Sequence, residues 1–259
     1  MRRATAFGWP FWLCGLLYGI SSLANPDGPR LRGLLERSIE AHGFDHTGSG
    51  EIKSFHAKQD VNMTIDGREI PCRWIISGQT PNRRRMEMLF GFEGKPVVVT
   101  SIYDGIRGKG WNTSAGKTRE MSSPELEENK QATHAVSLLG LLALRDSHNY
   151  HLSWAGRITI EGETAVGMKV WRQGFREVIL FFNEKSGLVV RHLYVLKNLS
   201  KGGEAKILET TFSKFGKKNG LMLPKTFKSR LGGKIFASGS TTNLVVVDGS
   251  LPNGTFWRP

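Results

Sequence analysis

Apolar side chains recur at every second position through most of this chain, and that period restricts it to half-buried strands. Phe55, Ala57, Val61, Met63 and Ile65 share one parity, broken only by Gln59. Asp66-Gly67 is a hairpin signal, because a two-residue turn needs a positive φ at both positions. Ile70, Cys72, Trp74 and Ile76 alternate on the way back, and Arg84, Met86, Met88 and Phe90 form the next run, ahead of residues 97–103. After an interruption the pattern resumes with Val166, Met168 and Val170. The solid apolar run 178–182 turns at 183–187, and Leu188, Val190, His192 and Tyr194 return from it. Residues 208–215, the segment around Leu221-Met222-Leu223-Pro224, and residues 244–247 complete about ten antiparallel strands in a meander.

Two helices are expected. Pro29 opens the first, with Leu31, Leu34, Leu35 and Ile39 on one stripe, and Gly43 ends it before a Gly/Ser-rich loop to Gly50. The second is predicted over 124–143, with Ser123 as N-cap, Pro124 at the first helical position, and Glu125 and Glu127 at the positive end of the dipole. Its first half is polar to Lys130; its second half, Val136 to Leu144, is apolar nearly all round. Two helices are too few for a βαβ fold. The expected class is mainly β (α+β), a single curved antiparallel sheet packed against helices, in one domain over residues 25–259.

Residues 1–24 read as a cleaved signal peptide. Arg2 and Arg3 give the positive start, residues 6–20 an almost uncharged apolar run, and Ser22-Leu23-Ala24 the small residues that a signal peptidase reads. The run is shorter than the roughly 20 residues that cross a bilayer. Cleavage removes Cys14 and leaves Cys72 as the lone thiol, which alternates with Ile70 and Trp74 and reads as a small buried hydrophobe. The chain carries 36 Lys and Arg against 23 Asp and Glu. Such a surplus suits an anionic membrane surface, or is simply a solvated basic face; export argues against nucleic acid. Arg83-Arg84-Arg85, and Lys214 to Lys218 with Lys225, Lys228 and Arg230, belong to this surplus and read either as a charged strand face with protected hairpin tips or as contacts to headgroups.

No catalytic constellation is present. Gly110 to Thr118 ends in Gly-Lys-Thr, but its preceding glycine is misplaced for a phosphate loop and no helix start follows. The pairs His42/His46 and His148/His151 lack a third metal ligand at recognisable spacing and read as surface or turn histidines. No metal, no cofactor and no enzyme activity are expected. Seven Met, fourteen Phe and seven Trp are more than a half-buried sheet needs for closure. Unbranched Met can line an adaptable cavity for acyl chains, or fill an ordinary core. The candidate lining residues are Met63, Trp74, Met86, Met88, Phe90 and Met168 on the strands, with Leu138, Leu139 and Leu142 on the second helix.

Several segments together resemble the periplasmic LolA/LolB-like lipoprotein carriers and their secreted relatives. Pro81-Asn-Arg-Arg-Arg85-Met-Glu87 is similar to a family strand with Pro, Arg and an acidic residue at these intervals. Asp104-Gly105 before Trp111, Phe181 to Leu188, Glu209-Thr210 through Pro224, and Phe256 to Pro259 resemble later family segments in order. The resemblance implies an unclosed β-barrel roofed by helices around a hydrophobic cavity. Thr80 departs from it, standing where the carriers place an Arg that helps control cargo release. The expected function is an exported, monomeric, non-enzymatic binding protein for acyl chains of lipid or lipoprotein. The alternative is an envelope interaction or sensor module that binds a partner polypeptide through the same sheet. An open apolar cavity would favour the first, and a filled core with an exposed apolar patch the second.

Overall fold

In a computed structural model the described residues are 28–44, 53–80, 82–92, 95–198, 202–247 and 249–259. The expected signal peptide, Pro81 and most of the Gly/Ser loop after Gly43 lie outside them. Helix α1 (Gly28–His42) forms where the apolar stripe predicts, and it buries Leu31, Leu34, Leu35, Ser38, Ile39 and His42. It ends at Gly43, whose φ of 75° is left-handed, and a Cβ there would overlap the Gly220 carbonyl oxygen.

The chain then runs outward through β1 (Ser54–Ile65), β2 (Arg68–Gln79), β3 (Arg83–Phe92), β4 (Lys95–Asp104), β5 (Lys109–Ser114) and β6 (Lys117–Glu120). It crosses by helix α2 (Ser123–Ser137) and two 3₁₀ turns (Leu138–Gly140 and Leu142–Arg145). It returns through β7 (His151–Ile160), β8 (Glu163–Trp171), β9 (Val178–Asn183), β10 (Val189–Asn198), β11 (Glu204–Lys218), β12 (Leu221–Leu231) and β13 (Lys234–Val247). All neighbours pair antiparallel, and β13 closes back on β1, giving one thirteen-stranded sheet with β6 and β7 as its edges. The sheet is not closed into a barrel. Tight turns fix the registers: Asp66-Gly67, as predicted, and Glu161-Gly162 each put two consecutive residues at positive φ between paired strands.

Curvature follows from bulges at Lys58/Gln59, Trp154/Gly156 and Ser229/Arg230. Its extent is measured by Trp74 of β2 and Phe227 of β12. On a flat sheet these strands would lie about 14 Å apart, three spacings of about 4.8 Å. Their rings are stacked with centroids 5.8 Å apart. One apolar cluster, under α1 and α2, includes Leu35, Leu138, Met168, Leu180 and Phe182. A second, between β1, β2, β3 and β13, holds Met63, Cys72, Trp74 and Phe90, with Met86 and Met88 packed against it. Cys72 is buried and free, as its alternation implies.

Three expectations require correction. The sheet has thirteen strands, because β5, β6 and β7 were not recognised: β5 and β6 are short and polar, and β7 is bulged at Gly156. The second helix ends at Ser137, since Leu141 takes a φ of 60° and the chain continues as 3₁₀ turns. Its cap is Ser122, one residue earlier than Ser123: the Glu125 carboxylate accepts from the Ser122 backbone N–H and hydroxyl, both at 2.9 Å. Leu35 is 1% exposed on the buried face of α1. Truncation to Ala should therefore cost about 2–5 kcal/mol in denaturant unfolding, whereas Arg32→Ala on the exposed face should change stability by less than about 0.5 kcal/mol.

Candidate functional site

The α2 crossing is built in two chemically distinct halves. Its polar half is fastened to both halves of the sheet. Glu125 holds Arg119 of β6 through two hydrogen bonds of 2.6 and 2.8 Å, and these, with the Ser122 cap, draw its carboxyl down to a pKa of about 2 against the cost of burial. On the far side Glu128 pairs with Arg176 and accepts from the Lys197 backbone N–H of β10 at 2.9 Å. Gln131 adds a bond from its side chain to the Gly174 carbonyl and another from the Arg176 N–H.

The apolar half explains why its residues looked apolar all round. A 3₁₀ turn has three residues per turn, so positions three apart line up. Leu138, Leu141 and Leu144 form one such line and are each 0% exposed in the core. Leu139 and Leu142 form the next line, and Gly140 and Ala143 the third; both of these face a cavity. The left-handed Leu141 marks the junction between the two 3₁₀ turns.

That cavity has a volume of about 300 Å³ and lies between the roof and the concave face of the sheet. Phe55 and Ala57 of β1, Leu244 and Val246 of β13, and Phe212 and Phe215 of β11 form its floor and wall. Of the nine candidate residues, Leu139 and Leu142 line it. Leu138 and Met168 lie in the neighbouring core, and Met63, Trp74, Met86, Met88 and Phe90 in the second cluster. The two regions share one face: Ile76 lines the cavity and packs on the second cluster, and Phe55, Ala57, Val61 and Met63 share a parity along β1. The aromatic floor from Phe55, Phe212 and Phe215 was missed, although Phe55 sits on the apolar parity of its strand.

His42 closes one end, and here the surface reading is wrong. The ring is 4% exposed, Nδ1 lies 2.9 Å from the Met222 carbonyl, and Nε2 accepts from the Val189 backbone N–H at 3.0 Å. Those partners fix a neutral ring with its proton on Nδ1. Burial lowers its pKa, partly offset by the bond to Met222. His148 lies in an exposed turn and His151 is exposed on β7. His134 and His192 are also buried, each with a pKa lowered to about 4, in both cases chiefly by burial.

These histidines are neutral when folded and protonate near their ordinary value of about 6.5 when unfolded. Their stabilisation is complete above that value and is lost as the pH falls toward about 4. Unfolding titrations should show stability dropping through that window, and His192→Phe should flatten the slope. A flat profile between pH 6.5 and 4 would contradict the buried neutral rings.

No family model matches the sequence, and no curated protein matches it significantly. Solved structures do match. A LolA superfamily protein from Nitrosomonas europaea aligns over 88% of this chain and 97% of its own, with a TM-score of 0.55 at 12% identity. A domain from Vibrio parahaemolyticus described as an outer membrane lipoprotein-sorting protein covers 85% and 95%, with a TM-score of 0.53 at 9% identity. A DUF1329 family protein from Desulfovibrio piger covers 87% and 96%, with a TM-score of 0.53 at 13% identity. At such identities the likeness is one of fold, and it agrees with the resemblance read from the sequence segments.

Proposed function

We propose that this chain, which has the LolA-like fold, is an exported, non-enzymatic binding protein whose cavity takes an acyl chain of a lipid or lipoprotein. The observation that carries this reading is the apolar space of about 300 Å³ under a roof with two ranks, Leu138/Leu141/Leu144 for the core and Leu139/Leu142 for the cavity. The volume sits at the low end for small-molecule sites, which suits one chain better than several. A lipoprotein-sorting description for a structural neighbour fits the same reading. The open cavity favours acyl binding over the alternative, a polypeptide partner on the sheet. A cleaved leader over residues 1–24 would deliver the protein outside the cytoplasm, and none of the described helices is long and apolar enough to cross a membrane. The basic surplus would favour approach to anionic membrane surfaces.

Affinity would come from removing methylenes from water, about 0.8 kcal/mol each, so each added CH₂ should tighten binding about fourfold until the cavity is full. Competition against a fluorescent fatty acid with chains of increasing length measures this. Leu139→Glu should abolish binding, because an unpaired carboxylate would face hydrocarbon. Leu139→Ala should weaken binding while costing less stability than truncation in the core rank at Leu138. Affinity independent of chain length, or unchanged in Leu139→Glu, would refute the reading.

A further inference from the structure

The run Arg83-Arg84-Arg85 divides by strand parity. Arg83 Nε lies 3.0 Å from the Asp104 carboxylate and its guanidinium sits over the Phe256 ring. Arg85 Nε lies 2.6 Å from Glu87, and its Nη1 donates to the Thr255 carbonyl at 3.3 Å. Both thus pack with carboxylates and with a C-terminal 3₁₀ turn, Asn253–Phe256. Arg84 takes the opposite parity, shared with Met86 and Met88, and faces the interior. Among the described residues it pairs with no carboxylate. Its one described hydrogen bond runs from Nη2 to the Asn129 side-chain oxygen of α2, at 2.9 Å. The titratable group whose field reaches it is the Tyr194 phenol, which burial holds neutral to above its ordinary range.

Arg84 is half-buried, and a partly desolvated cation without a carboxylate partner among the described residues is costly. Together with Arg83 and Gln79 it lines a small cavity of about 20 Å³ whose wall residues Phe55, Thr80, Val136 and Ser137 also line the large apolar cavity. Thr133 lines the same small cavity. It is 6% exposed, and its hydroxyl has no hydrogen-bond partner. Gly78 stands opposite Arg84 on the neighbouring strand, and the Phe55 ring packs over the space a side chain would fill. A space of this size takes one oxygen-sized group. A carboxylate can present such an oxygen while matching the planar guanidinium fork.

We infer that Arg84, aided by the Thr133 hydroxyl, receives the carboxylate head of a single-chain fatty acid whose hydrocarbon lies in the large cavity. This rests on the acyl-chain reading and adds head-group selectivity to it. Calorimetric titration of the full chain with dodecanoate and with dodecan-1-ol, equal in chain length, separates the two. Wild type should prefer dodecanoate by about tenfold or more, the scale of a charge-assisted hydrogen bond. Arg84→Gln should erase the preference by weakening dodecanoate alone, and Thr133→Val should lose part of it. Ligand-free Arg84→Met should keep or raise the melting temperature, because it removes a half-buried charge that has no carboxylate partner among the described residues. Equal affinities in wild type, parallel loss of both ligands in Arg84→Gln, or a lowered melting temperature in Arg84→Met would overturn the head-group assignment and leave the acyl-chain reading intact. Failure of wild type to bind either ligand would overturn both.

Discussion

The thirteen described strands form one sheet in which β1 pairs with β13 and β6 and β7 are left as the two edges, so the chain between those edges has to cross from one to the other. A single segment of chain, residues 121–150, makes that crossing. The ion pairs of Glu125 with Arg119 and of Glu128 with Arg176 hold its polar half to both sides. Exposed pairs of this kind contribute little singly. Here Glu128 is half-buried and also accepts a backbone N–H, so the network carries geometry as well as charge. With the helix so fixed, the 3₁₀ segment beyond it must hang across the concave face. The roof and the cavity beneath it follow from that fastening.

The curvature of the sheet supplies the other wall. Bulges on several strands turn the concave side chains toward one another, until Trp74 and Phe227, three strands apart, stack. At that end the interior fills with Met63, Trp74 and Phe90 and becomes core. Toward the mouth, small residues such as Ala57 and Gly140 leave open space beside the rings of Phe55, Phe212 and Phe215. One continuous apolar face therefore serves as packing at one end and as a cavity wall at the other.

This division was the part least legible in the sequence. Alternation gave the strands from Phe55 to Phe90 and from Val166 to Tyr194, together with the Asp66-Gly67 turn, because parity is a local property. Parity says which side chains share a face, not which of them meet a partner across it, so Met63 and Leu139 looked equivalent as lining candidates. The strands β5 and β6 escaped notice because a short polar edge carries no buried rank to reveal it. The helix end was missed for a different reason: a left-handed leucine at 141 has no signature in residue type. His42 was hidden too, since its role depends on carbonyl and N–H groups of β12 and β10, 180 and 147 residues away in the chain. Arg84 stood in plain view as the middle of an arginine run, and only the fold shows that its neighbours pair with carboxylates whereas, among the described residues, it does not.

The central claim is that the roof segment has one rank of leucines for the core and another for a guest. Methyl-resolved nuclear magnetic resonance of the leucine-labelled protein, titrated with a fatty acid, tests it directly. The signals of Leu139 and Leu142 should shift saturably with the ligand, while those of Leu138, Leu141 and Leu144 stay close to their free positions. Uniform movement of both ranks, or shifts confined to surface methyls with Leu139 and Leu142 silent, would contradict the account.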